Sequence, residues 1–316
     1  MKIANNFDPE KHFREQKLRE KRTFWPRFFA KVGLALGWSA WFFVSFFGAQ
    51  FLLAFLIKLA SLAFHFNAKL LANSDFANAV IEILLYVLLI LFFVVLPLIF
   101  LPKIRAKLSR KSVKVRTIER AEMKENFWKS FADSVGLSRK PRWRDLGQTI
   151  YFFPIFYFLL IAANLLATFV FGATAMNQQQ NLSFSTSGNS QFQLVIIFIS
   201  LCIVAPVSEE LLLRGWMFTK LRFRENFAKN SAGKTITFRE KNLGFWPTAL
   251  VVSLVFALAH GQLNVGIMTF ILSMCNSRIR ENSGTIYGAI LLHASVNFIA
   301  FAIKYLGFLH GAGIGV

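Results

Sequence analysis

Six polar residues whose types suit catalysis lie inside otherwise apolar stretches of this 316-residue chain. They are Glu209, Glu210, Arg214, His260, His293 and Asn297. An ionisable side chain at the centre of a membrane-spanning helix costs about 2.5–3.5 kcal/mol on insertion scales. Several such residues in one part of the chain therefore indicate a functional site.

The two adjacent carboxylates differ in what their own helix offers them. Glu210 and Arg214 are four residues apart, which places them on one helix face, where they can pair. Glu209 lies about 100° around the helix and has no partner of this kind. Pro206 lacks a backbone N–H and is expected to bend the helix just before the pair. The alternative for Glu210 and Arg214 is an interfacial ion pair that ends a span.

Together these residue types suit hydrolysis by activated water. A partly buried glutamate and a histidine can take a proton from water, and His293 and Asn297 offer N–H donors for a developing oxyanion. One glutamate and two histidines are also zinc ligands, although the chain has no HExxH sequence. The alternative for each histidine, taken alone, is a structural hydrogen bond to a neighbouring helix. The spacing leaves the metal-free and the zinc version open.

The elements that carry these residues are predicted to be membrane helices. The chain is 55% hydrophobic and only 16% charged, with a mean hydropathy of +0.49, whereas a soluble domain is about 25% charged. About 20 apolar residues cross a bilayer core, and six regions have this character: 33–57, 79–101, 149–175, 192–213, 247–275 and 285–309. The region 247–275 is broken near His260, which predicts a hairpin of two short helices or one hinged span. We therefore predict an all-α, polytopic transmembrane bundle of about six to eight membrane helices.

The 36 Lys and Arg residues outnumber the 16 Asp and Glu residues, and they are concentrated in alternate loops. Fourteen lie in 102–148 and seven in 215–246, against two in 58–78 and none in 176–191. We predict an integral protein of the cell membrane. By the positive-inside rule, its N-terminus, its two basic loops and residues 276–284 are cytoplasmic. Contact with anionic lipid accounts for the basic loops, so we expect no nucleic-acid partner.

These patterns divide the chain into four parts. We predict a basic N-terminal arm over 1–32, two transmembrane helices over 33–101, a basic linker over 102–148 and a domain with the candidate site over 149–309. Outside that domain, Glu82 is expected to be an interfacial or helix-pairing residue. Cys202 and Cys275, which have no metal-ligand spacing, are expected to be small buried side chains.

The polar residues of the last part resemble the three motifs of the CPBP family, which holds the type II CAAX prenyl endopeptidases and related bacteriocin-processing and immunity proteins. The residues that carry the resemblance are Ala205-Pro206, Glu209-Glu210, Arg214-Gly215, Phe256 with His260, and His293 with Asn297. Their order in the chain also matches, and the resemblance covers about residues 150–305.

The resemblance implies an intramembrane endopeptidase that acts on a peptide or a prenylated protein. By analogy, Glu209 and His260 activate the attacking water. His293 and Asn297 stabilise the oxyanion, and Glu210 and Arg214 orient the site. This scheme needs no cofactor, although a zinc-dependent version is an alternative. Because the family includes immunity proteins, a non-catalytic immunity or scaffold protein is a further alternative. A transporter also fits buried Glu and His, but the chain shows no internal repeat.

Overall fold

A computed structural model describes residues 9–67, 74–100, 131–133, 135–176, 191–229 and 235–305, with the backbone alone for 9–24 and 224–241. Five helices in these ranges are long and apolar enough to span a membrane: Trp25–Phe64, Asp75–Phe100, Trp143–Phe171, Gln191–Arg222 and Tyr287–Tyr305. A shorter apolar helix covers Phe245–Ala259. The predicted all-α bundle of membrane helices is confirmed.

The first two helices form an antiparallel pair. Helix α1 (Pro9–Phe64) continues from the basic N-terminal segment into the first span without a break. Helix α2 (Asp75–Phe100) begins at Ser74, whose hydroxyl accepts a hydrogen bond from the backbone N–H of Ala77, and it contains a π-helical turn at Leu91–Val95. The Phe42 and Phe93 rings meet edge to face with centroids 5.3 Å apart, which holds the pair together near the end of α2.

Helix α3 (Trp143–Phe171) begins six residues before the predicted span and is followed by the single turn α4 (Ala173–Met176). Asp145 explains the early start, because its carboxylate accepts the backbone N–H of Arg142 at 2.8 Å and so caps the first turn. The same carboxylate receives two hydrogen bonds from Arg139, at 2.7 and 2.8 Å. These hydrogen bonds raise the pKa of the Arg139 guanidinium above its usual value. The end of the basic linker is therefore an ordered part of the fold.

Helix α5 covers Gln191–Arg222 and leads directly into a β-hairpin of strands β1 (Phe223–Lys229) and β2 (Thr235–Lys241). The sequence predicted only a basic loop here. The antiparallel register places Arg224 opposite Glu240 and Glu225 opposite Arg239. At the base of the hairpin, Arg222 donates to both carboxylate oxygens of Glu281.

The region around His260 is a helical hairpin. Helix α6 (Phe245–Ala259) and helix α7 (Leu263–Ser283) pack along each other, and Gly261 joins them in a left-handed conformation with φ +67°. The structure thus favours two helices over one hinged span. The buried residues of α7 include four polar ones, Ser273, Asn276, Ser277 and Arg280. Helix α8 (Tyr287–Tyr305) completes the bundle.

Described parts of three segments predicted to be cytoplasmic contact one another. Near the start of α3, Arg139 and Arg144 donate to the backbone carbonyls of Ser283 and Asn282 at the end of α7. The pair of Arg222 with Glu281 ties the end of α5 to the same place.

Candidate active site

Helix α5 carries the two glutamates on a short regular segment between two π-helical turns. The regular segment is Ala205–Glu210, and the π turns are Ser200–Val204 and Leu211–Met217. In the first π turn, the backbone N–H of Ala205 reaches back to the carbonyl of Ser200. The irregularity expected from Pro206 is therefore a widened turn directly before the glutamates, and such turns are frequent at functional sites.

Asn297 of α8 satisfies a carbonyl that this turn leaves open. In the π-helical pattern, the carbonyl of Leu201 would accept from the N–H of residue 206, but Pro206 has none. The side-chain amide of Asn297 donates to that carbonyl at 2.8 Å instead. The first and third sequence motifs are thus joined through the backbone of α5. The structure places the Asn297 amide on this carbonyl and not on either glutamate.

Glu210 lies at the centre of the buried network. Its side chain is fully buried, and its Oε1 atom accepts from Arg214 Nη1 at 3.1 Å, Asn276 Nδ2 at 2.9 Å and His293 Nδ1 at 2.9 Å. Arg214 is also fully buried, so both charges of the pair are removed from water. Three helices, α5, α7 and α8, therefore converge on a single carboxylate oxygen.

Glu209 has a different environment from its neighbour. Its side chain is 18% exposed, and its Oε1 atom accepts a hydrogen bond from the hydroxyl of Tyr86 at 2.5 Å. Its Oε2 atom lies 3.5 Å from Nε2 of His293. Of the two carboxylates, Glu209 is the one that is partly exposed.

His293 links the two glutamates. Its Nδ1 atom donates to Glu210 and its Nε2 atom faces Glu209, while its side chain is only 4% exposed. Since Nδ1 already carries a proton, donation from Nε2 to another acceptor requires that both ring nitrogens be protonated.

His260 stands at the end of α6, beside the same network. Its Nδ1 atom lies 2.8 Å from the carbonyl oxygen of Phe256. A carbonyl only accepts, so Nδ1 carries the proton and Nε2 of the neutral ring is free to accept one. The Phe256 ring lies between His260 and His293, with centroid distances of 4.7 and 5.9 Å, and the Arg214 guanidinium lies 5.2 Å from its centre.

The structure brings four of the six predicted residues into direct contact: Glu209, Glu210, Arg214 and His293. His260 reaches the group through the Phe256 ring, and Asn297 reaches α5 one turn before Pro206. The roles assigned to these residues stay predictions.

Sequence reasoning missed two residues of the site. A sequence pattern indicates Asn276 as a buried polar residue, because Ser273, Asn276 and Arg280 recur at helical spacing in α7. Tyr86 had no such signal, since a tyrosine within an apolar helix is ordinary. Glu82, one turn before Tyr86, pairs helices as expected: the Ser200 hydroxyl of α5 donates to it. Cys202 and Cys275 are buried, as expected.

Among the residues that the structure describes, no group of three or more His, Cys, Asp or Glu side chains is arranged to hold a metal ion. The Oε1 atom of Glu210 is already occupied by three N–H donors, one of them the cationic Arg214. What the arrangement offers is a partly exposed carboxylate, Glu209, beside the His293 imidazole and a buried ion pair. That set is suited to taking a proton from water and stabilising developing negative charge.

Part of the chain matches a known protein family. Residues 191–299 match the family described as "Type II CAAX prenyl endopeptidase Rce1-like", so that the chain contains a domain of that family, which is a protease family. The matched range holds all six predicted site residues, and it excludes helices α1 to α3. No curated protein and no solved structure matches the chain at a significant level.

Proposed function

We propose that this chain, which carries a type II CAAX prenyl endopeptidase domain in a membrane bundle, is an intramembrane endopeptidase. It cleaves a peptide bond with activated water. The observation that carries the proposal is the division between the two glutamates. Glu210 is fully buried and forms an ion pair with Arg214, whereas the Glu209 side chain is 18% exposed and lies next to His293.

In the proposed reaction, Glu209 takes a proton from water while the water oxygen attacks the carbonyl carbon of the substrate. His260 assists, because its Nε2 is the ring nitrogen that is free to accept a proton. His293, protonated on both ring nitrogens, and the second N–H of the Asn297 amide donate to the oxyanion of the tetrahedral intermediate. The intermediate then collapses, the C–N bond breaks, and the proton held by Glu209 passes to the leaving amine.

Glu210 and Arg214 support this reaction without touching the substrate. The bond from His293 Nδ1 to Glu210 fixes which way the imidazole ring points. Arg214 keeps a positive charge beside Glu210 and packs against the Phe256 ring that also contacts both histidines. The proposed scheme uses these side chains alone and requires no cofactor.

The test is cleavage by purified protein in liposomes, with fluorogenic membrane peptides and matched prenylated and unprenylated peptides that end in a CAAX sequence. We expect Glu209→Gln and His260→Ala to lower kcat by about 10²–10⁴-fold, the usual contribution of general acid–base groups. His65→Ala is the matched control, because His65 is an exposed residue at the end of α1. Wild-type rates in Glu209→Gln would exclude the proposal, and a preference for prenylated peptides would define the substrate class.

The proposed orientation places the N-terminus and the basic loops in the cytoplasm, next to anionic lipid. The variants Lys140→Cys and Gln179→Cys test this orientation by thiol labelling, because the native Cys202 and Cys275 are buried. In intact cells, a membrane-impermeant thiol reagent should label the cysteine at 179 and leave that at 140 unlabelled. The reverse labelling pattern would refute the orientation.

A further inference from the structure

The site receives one hydrogen bond from outside the family domain. Tyr86 belongs to α2, which precedes the matched range 191–299, and its hydroxyl donates to Glu209 at 2.5 Å. This is the shorter of the two contacts made by the Glu209 carboxylate, since Nε2 of His293 lies 3.5 Å away.

A second contact fixes α2 against α5 one turn earlier. Glu82 and Tyr86 are four residues apart and so lie on one face of α2. The hydroxyl of Ser200, in the first π turn of α5, donates to Glu82. The same face continues through Leu89 and Phe93, which are buried at 3% and 0% exposure. The position of Tyr86 is therefore set by the packing of a whole helix face.

The two contacts of Glu209 involve different oxygens. Oε1 accepts from Tyr86, and Oε2 points toward His293. The last torsion of a glutamate is broad, so the plane of a carboxylate without a partner is loosely set. The bond from Tyr86 holds that plane, with one oxygen on the tyrosine hydroxyl and the other turned toward the imidazole.

We infer that Tyr86 is a positioning residue, which holds the plane of the Glu209 carboxylate so that the oxygen not bonded to the tyrosine faces His293 and takes the proton from water. The inference rests on the proposed function. It assigns the N-terminal helix pair a part in the active site that the three sequence motifs do not contain.

Kinetics test the inference first. Tyr86→Phe removes only the hydroxyl, and we expect kcat to fall about 10- to 100-fold with KM unchanged, as for a misplaced catalytic group. Tyr305→Phe is the matched control, because the Tyr305 hydroxyl is buried and has no hydrogen-bond partner within the described residues. It removes the same atom from another helix and should leave kcat at the wild-type value.

Thermal unfolding in detergent tests the contact without reference to activity. In Glu209→Ala the acceptor is gone, so adding Tyr86→Phe should lower Tm by less than it does in the wild-type background. A merely structural tyrosine would give additive losses in Tm.

The outcomes separate the two proposals. Unchanged kcat in Tyr86→Phe, or a lower kcat with additive Tm losses, overturns the inference and leaves the proposed endopeptidase intact. If wild-type protein cleaves nothing, or Glu209→Ala cleaves normally, the proposed function fails. The unfolding cycle then decides alone whether Tyr86 holds Glu209, and additive losses overturn that as well.

Discussion

Arg214 and Glu210 form an ion pair in which both side chains are fully buried, with Nη1 3.1 Å from Oε1. Within the described residues, Oε2 of Glu210 and the Nε and Nη2 atoms of Arg214 have no hydrogen-bond partner, although all three are buried. Incompletely satisfied buried charges are costly. The pair is therefore better explained by what it holds in place than by its own contribution to stability.

Arg214→Ala should destabilise the protein strongly, because it leaves the Glu210 carboxylate buried without its counter-charge. We expect a loss of about 3–5 kcal/mol in the free energy of unfolding, measured by chemical or thermal denaturation in detergent. The double variant Glu210→Gln with Arg214→Met should recover part of that stability while remaining inactive. A double variant no more stable than Arg214→Ala would contradict this account.

Asn276→Asp should be more harmful than Asn276→Ala. Asn276 donates to Glu210 at 2.9 Å, so an aspartate would place a second carboxylate against a buried one, whereas alanine only removes a donor. Loss of the donor is expected to cost about 1–3 kcal/mol. Ser277→Ala is the control, because the neighbouring Ser277 hydroxyl is buried without a partner in the described part of the chain. Equal stability of the two Asn276 variants in thermal unfolding would count against a charged Glu210.

Asn297 and Pro206 should be energetically coupled. The amide of Asn297 donates to the Leu201 carbonyl, for which Pro206 supplies no backbone donor. Asn297→Ala should therefore cost up to about 1.7 kcal/mol, the upper range for such bonds in membrane bundles. In a Pro206→Ala background a backbone N–H is available, and the same change should cost less. A double-mutant cycle of unfolding free energies measures this coupling, and a coupling of zero would contradict the proposed explanation of the π turn.

Gly215→Ala should be destabilising and Gly147→Ala should not. A Cβ atom at Gly215 would lie 2.8 Å from the carbonyl oxygen of Val135, whereas one at Gly147 meets nothing within 4 Å. Overpacking of this kind lowers the free energy of unfolding by about 1–3 kcal/mol. Alanine in place of Gly147, in the exposed part of α3, should raise it by about 0.5–1 kcal/mol. The comparison is made by thermal unfolding of the two variants side by side. A neutral Gly215→Ala would show that residues 135–137 are not packed against α5.

Cleavage should survive removal of metal ions. The proposed reaction uses Glu209 and His260 and no Lewis acid, so dialysis against a strong chelator should leave kcat unchanged. Metal analysis of the active protein should find far less than one zinc ion per chain. Loss of activity that added zinc restores would support the zinc-dependent alternative instead.

The sequence predicted the elements better than their irregularities. Hydropathy located the spans because a bilayer imposes one length and one composition on them. It did not predict that the irregularity at Ser200–Val204 is a π turn, whose Leu201 carbonyl is bonded by Asn297, nearly a hundred residues away. It also placed the start of α3 at residue 149, because hydropathy does not register a cap such as Asp145.

The site was predictable only where its residues share a helix or a motif. Glu210 and Arg214 were paired correctly from a spacing of four residues, and the buried polar residues of α7 carried the same kind of signal at Asn276. No such pattern marks Tyr86, because its role depends on the distance between α2 and α5. No local pattern in either helix encodes that distance.

The packing of α3 bears on how this protein can be shortened for expression. The matched family range begins at residue 191, yet Phe156 of α3 is fully buried against Leu272 and Ile279 of α7. A polypeptide trimmed to 191–299 would expose that apolar face and lose the hydroxyl of Tyr86. The smallest autonomous unit must therefore include α2 and α3, so that the range detected by sequence comparison is shorter than the range that must be expressed.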